Sequence, residues 1–176
     1  MLPVDMLVTE HKLILQAVEK IKKEIGQIEA TNAVTPIYLT TAVDFFRTYA
    51  DRFHHGKEEG ILFKALSQRN LNETDQKGMM ELMVEHGVAR RTVTALDNTK
   101  EEYIAGKQEA LKTILDLLNT LVKLYPAHIE KEDKHFFYQS MAYFTEQEQN
   151  QMQTSFIMFN QNFTDKKYKQ VIDQLQ

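Results

Sequence analysis

Apolar residues recur every three or four positions over long stretches of this chain, and glycine (6) and proline (3) are scarce between them. That period belongs to helices with one face turned to a core. Leu7, Leu13, Ile14, Val18 and Ile21 predict a first helix from about Asp5 to Glu29, closed by a turn at Thr31-Asn32-Ala33-Val34. Thr35 then offers an N-cap oxygen, and Pro36 fits the first helical position, where no N–H is needed. The second helix carries Val43, Phe46, Tyr49, Phe53, Ile61, Leu62 and Leu66 and ends near Ser67, before a polar loop to Thr74. A third runs from about Asp75 to Ala105 and stops at Gly106, with Met79, Met80 and Met83 filling its core face. A fourth reaches about Tyr143. Thr145-x-x-Glu148 is a capping box that opens a shorter helix to about Asn160. Thr164 or Asp165 caps a last short helix with Tyr168, Val171, Ile172 and Leu175. The fold class predicted is all-α: an up-down-up-down four-helix bundle with one or two extra short C-terminal helices. The 176 residues suit a single domain, with the bundle core at about 5–143 and a helical extension at about 145–176.

Two segments of the pattern are near copies. HHGKEEGILF, from His54 to Phe63, and HIEKEDKHFF, from His128 to Phe137, share H-x-x-K-E-acid-x-x-x-F. Each His-x-x-x-Glu puts an imidazole and a carboxylate one helical turn apart on one face. Upstream of each copy stands another matched pair, Glu10-His11 and Glu85-His86. His11 and His86 are 75 residues apart, and His54/His128 and Glu58/Glu132 are each 74 apart. The predicted turns supply an independent test, because residues equidistant from a hairpin turn lie at one height. The midpoints of His11/His54, His54/His86 and His86/His128 fall in or beside the three turns, between residues 32 and 33, at Asn70 and at Lys107. Four histidines on four helices therefore share a level, with Glu58 and Glu132 one turn along.

Imidazole nitrogen with carboxylate oxygen suits first-row metals such as iron, manganese and zinc. Two carboxylates can bridge two ions and offset part of their charge. The chain has no cysteine, which excludes disulfides, iron–sulfur clusters, haem-thiolate chemistry and a thiol nucleophile. The net charge of −4 comes with mixed signs and no basic stripe, so nucleic acid is not an expected partner. No signal-like N-terminus and no apolar run of about 18 residues is visible, so the expectation is a cytoplasmic protein without a membrane partner.

Glu10-His11, the run FHHGKEEGILF from Phe53, the run MVEHGVAR from Met83 and HIEKE from His128 together resemble the hemerythrin-like family of HHE cation-binding domains, in its bacterial members. The resemblance covers roughly residues 5 to 143. It implies a four-helix bundle with a non-haem di-iron centre, carboxylate- and oxo- or hydroxo-bridged, with manganese or zinc as alternatives. Carried over position by position, the metal ligands are His11, His54, Glu58, His86, His128 and Glu132. Oxygen-carrying members have a further histidine one turn from the third helix's ligand; here Leu82 and Arg90 stand at those positions, which places the chain nearer the four-histidine members. The implied function is binding of dioxygen or nitric oxide, for storage or sensing. The alternatives are a redox enzyme consuming peroxide or nitric oxide with an external electron donor, or an iron storage or delivery protein. Monomer and homodimer are both open.

Several residues near these motifs admit two readings. His55 and Glu59 are also four apart; alignment of the copies selects His54 with Glu58 and leaves His55 as an extra or alternative ligand. His135 is a core or interface histidine, or lies beside the metals. Glu10 and Glu85 precede their histidines and so point elsewhere, toward salt bridges between helices, with Arg90 a candidate partner. Pro126 should kink the fourth helix. Tyr49 and Tyr125 pack in the core, or offer a phenol to a molecule held at the metals.

Overall fold

The computed structural model describes residues 2–161, and over these the chain is all-helical, without strands. Helix α1 is Val4–Thr31. Helix α2 covers residues 36–66, and α3 is Glu73–Ile104. Helix α4 opens as Ala110–Lys131 and continues through Glu132–Phe136 and Phe137–Ser140 to a 3₁₀ turn at Met141–Tyr143. Helix α5 is Glu146–Gln161. The last helix expected, with Tyr168, Val171, Ile172 and Leu175, lies outside the described residues. No helix among the described residues is long and apolar enough to cross a membrane.

The ends follow from local chemistry. Asn32 closes α1 in the left-handed region at φ 52°, and its N–H reaches the Ile28 carbonyl. Thr35 Oγ1 accepts the Tyr38 N–H, with Pro36 at the first position of α2. Asn72 Oδ1 accepts the Asp75 N–H at 2.8 Å, so α3 starts two residues before the boundary expected from the polar loop. Gly106, at φ +97°, takes the chain out of α3. The Thr145/Glu148 box forms as expected: each residue's backbone N–H is accepted by the other's side chain.

Within α2 and α4 the backbone widens into π-type turns, over Phe45–His55, Glu58–Phe63 and Glu132–Phe136. Such turns are rare and concentrate where a helix must re-aim side chains. Pro126 is tolerated inside α4, and the wider turn follows only at Glu132.

Two apolar clusters form the core. The larger includes Ile14, Val18, Ile21, Leu39, Phe45, Phe46, Phe53, Ala89, Leu96, Ile114, Leu121 and Ile129. The smaller includes Val4, Leu7, Leu62, Phe63, Leu66, Leu82, Phe136, Phe137, Met152 and Phe156. Along α1 the smaller cluster comes first, along α2 the larger, along α3 the smaller and along α4 the larger. On each helix the buried histidines and glutamates fall at the boundary between the clusters, forming one polar layer. Met79 packs against the smaller cluster, but Met80 and Met83 are exposed, contrary to expectation. Helix α3 turns Leu82, His86 and Ala89 inward, and Met80 and Met83 lie off that face.

Phe46 is fully buried and stacks on Tyr125 with ring centroids 5.0 Å apart. Phe46→Ala should cost about 3–5 kcal/mol of stability, read as a lower denaturant midpoint with unchanged slope.

Candidate metal centre

The polar layer collects seven buried side chains from four helices. Helix α1 supplies His11, α2 supplies His54, His55 and Glu58, α3 supplies His86, and α4 supplies His128 and Glu132. Their ligating atoms fall into two groups, each within 4.8 Å: His11, His54, Glu58 and Glu132; and His55, Glu58, His86 and His128. The carboxylates face both ways. Glu58 Oε1 lies 3.1 Å from His54 Nε2 and 4.0 Å from His11 Nε2, while its Oε2 lies 3.3 Å from His86 Nε2. Glu132 Oε2 lies 3.2 Å from His11 Nε2, while its Oε1 lies 3.2 Å from His128 Nε2 and 3.8 Å from His86 Nε2. Each carboxylate therefore turns one oxygen to each side of the layer.

His86 Nε2 and His128 Nε2 meet each other at 3.1 Å, but the other inner atoms of the six are unsatisfied. His11 Nε2, His54 Nε2 and all four oxygens of Glu58 and Glu132 are buried without a hydrogen-bond partner. Buried polar atoms are normally paired, so a convergent set of orphans asks for a guest. A nitrogen and oxygen donor set without sulfur fits one or two hard-to-borderline cations.

The outer nitrogens are all taken. Glu10 on α1 holds His54 Nδ1 on α2 (2.9 Å), and Glu59 on α2 holds His86 Nδ1 on α3 (2.6 Å). Glu85 on α3 holds His128 Nδ1 on α4 (2.8 Å), and Asp133 on α4 holds His11 Nδ1 on α1 (2.8 Å). The four interactions run once around the four helices. Each carboxylate fixes the ring so that Nε2 points inward, the orientation a metal-binding imidazole requires.

The repeated motif can now be read letter by letter. Its lysine, Lys57 or Lys131, pairs with the glutamate that holds the motif's own histidine, Glu10 or Glu85. Its second acid, Glu59 or Asp133, holds the histidine of the next helix around. Its phenylalanine stacks on that same histidine: Phe63 on His86 at 5.9 Å, Phe137 on His11 at 5.6 Å. Glu10 and Glu85 do form interhelical ion pairs, but with these lysines and the histidines. Arg90 instead binds Asp51 and Glu59.

The structure brings all six residues expected from the sequence into one layer, and adds His55. His54 and His55 are adjacent and both fully buried, at the end of the wider π-type turns over Phe45–His55. His55 lies against His86, with centroids 3.8 Å apart and planes 13° from parallel, and its Nδ1 is 3.3 Å from Asp51. It supplies an imidazole where Leu82 and Arg90 supply none. His135 is exposed, away from the layer. Tyr49 packs with Phe45 and Phe53, whereas Tyr125 lies parallel to His55 at 6.3 Å.

Within the layer the protein's own charges are balanced by protons. Burial pushes His11 down, but Asp133 and Glu132 pull it up to about 9. Burial likewise opposes His128, yet Glu132 and Glu85 raise it to about 10. For Glu58 and Glu132 burial favours the neutral acid, and the surrounding imidazoles overcome it, holding both below the usual carboxylate range. His55 is the exception: burial outweighs Asp51 and lowers it to about 4, so it stands neutral at pH 7.

A family model of the hemerythrin HHE cation-binding domain matches residues 2–139. The match takes in every residue of the layer and ends before α5. No curated protein and no solved structure matches the chain.

Because His11 and His128 keep their protons until the pH passes about 9 and about 10, a cation must displace them. Metal binding should therefore release protons at pH 7 and tighten as pH rises from 6 toward 9. Calorimetric titration in two buffers of different ionisation heat counts those protons; a heat independent of buffer contradicts the charge balance described.

Proposed function

Because the chain belongs to the hemerythrin HHE cation-binding domain family, we propose that it is a non-haem di-iron protein that binds dioxygen or nitric oxide. Its metal ligands are His11, His54, Glu58, His86, His128 and Glu132, with His55 as a seventh. The observation that carries the reading is the pair of buried carboxylates, each with one oxygen toward each imidazole group. Reversal of the apolar clusters from helix to helix supports the up-down-up-down arrangement that brings the ligands together.

Iron, when bound, supplies the electrons that hold a diatomic molecule. The protein supplies unequal halves. Three imidazoles, His55, His86 and His128, serve one side, and two, His11 and His54, serve the other. With both carboxylates shared, the His11/His54 side has fewer protein donors and is where the small molecule belongs. His11 stacks on Phe137, which belongs to the fully apolar cluster with Val4, Leu7 and Phe156. That wall excludes water and favours a small uncharged guest over a charged one, which supports binding over turnover of an anionic substrate.

Anaerobic loading should place two irons on each chain, and His54→Ala or His128→Ala should each lower that content. Dioxygen or nitric oxide should then give an absorption spectrum that vacuum reverses. Sustained loss of added peroxide would favour a redox enzyme instead. A clean preparation that stays empty when offered iron overturns the metal reading altogether.

A further inference from the structure

The two copies of the motif differ where the fold is asymmetric. Lys131 is 45 % exposed, but its counterpart Lys57 is fully buried. Helix α5, which lies beyond the stretch matched to the family, packs over Lys57. Asn160 Oδ1 accepts from Lys57 Nζ at 2.8 Å, and the same ammonium sits 3.5 Å over the Phe53 ring. Phe159 packs beside Phe53, with centroids 6.5 Å apart, and presses on Gly56. A Cβ at Gly56 would stand 3.1 Å from Phe159 Cζ, closer than ordinary contact. The second copy has Glu130 at the equivalent position, exposed and paired with Lys134. Only the first copy, with glycine there, leaves room for a helix to dock. Phe156 and Met152 anchor the same helix in the cluster that holds Phe137 against His11.

We propose that Asn160 is a positioning residue for one half of the metal centre, acting through Lys57 and Glu10 on His54. The contacts run without a break from Asn160 to Lys57, from Lys57 to Glu10 and from Glu10 to His54 Nδ1. Docking of α5 thereby fixes the imidazole on the side with fewer protein donors, while the His128 side, held through exposed Lys131, does without such a cover. Retention of one ion depends on α5 and retention of the other does not. The inference rests on the di-iron reading above.

The test is release of iron from the loaded full-length protein to a chelator, followed by stopped-flow absorption. Wild type should release its two ions in two phases. Asn160→Ala should speed one phase roughly threefold to tenfold, less than the 10–100-fold typical of losing a group that touches the imidazole directly. Lys131→Ala should speed the other phase. Asn160→Asp keeps an acceptor for the ammonium and should restore wild-type release. Thermal melts of each variant separate this selective effect from a general loss of stability. Equal acceleration of both phases by Asn160→Ala, no acceleration, or failure of Asn160→Asp to restore the rate overturns the inference. A wild type that holds fewer than two ions overturns the di-iron reading, and this inference with it.

Discussion

Two carboxylates buried in the middle of an apolar bundle set the terms for the whole molecule. Glu58 and Glu132 are fully buried, and none of their four oxygens has a hydrogen-bond partner. An uncompensated charge in such a place costs several kcal/mol even after relaxation. The remainder of the layer answers that cost. Five imidazoles surround the carboxylates, and each imidazole is fixed from behind by an acid nearer the surface. Four of the supports are tied in turn to cations: Glu10 to Lys57, Glu85 to Lys131, and Glu59 and Asp51 to Arg90. Charge alternates from the centre outward, and a cation at the centre completes the alternation.

The same logic explains why the layer sits where it does. Apolar clusters on both sides exclude water, so the polar atoms in the layer have only one another and a guest to meet. Because each outer acid reaches across to the next helix, the ring of supports also sets how the four helices are placed against each other. The duplicated motif carries nearly all of this twice, and the departures from duplication carry the asymmetry. His55 opposite Ile129 makes one half richer in imidazole; Gly56 opposite Glu130 lets α5 cover the other.

Much of this was legible in the sequence. Turn midpoints placed His11, His54, His86 and His128 at one level, and the structure gathers them there with Glu58 and Glu132. The caps at Thr35 and Thr145 were readable because capping needs only a few adjacent residues. Three things were not. His55 stood only as an extra or alternative ligand, because a repeat can nominate only residues present in both copies, and the second copy has Ile129 there. The roles of Glu10 and Glu85 were legible only as ion pairs; the histidines they hold lie on the neighbouring helix, beyond the reach of spacing rules. Met80 and Met83 were assigned to the core from their apolar character, although only position relative to Leu82 and His86 decides which face they occupy.

Under the proposed function, this layer holds a pair of cations that share Glu58 and Glu132. Anomalous diffraction at the iron edge, from crystals of the iron-loaded protein, tests it most directly. Two peaks about 3.5–4 Å apart are expected, the separation usual when two ions share a site. One peak should be flanked by His11 and His54, the other by His55, His86 and His128, with a carboxylate oxygen of each glutamate toward both. A single peak, or iron found only at surface carboxylates, would contradict it.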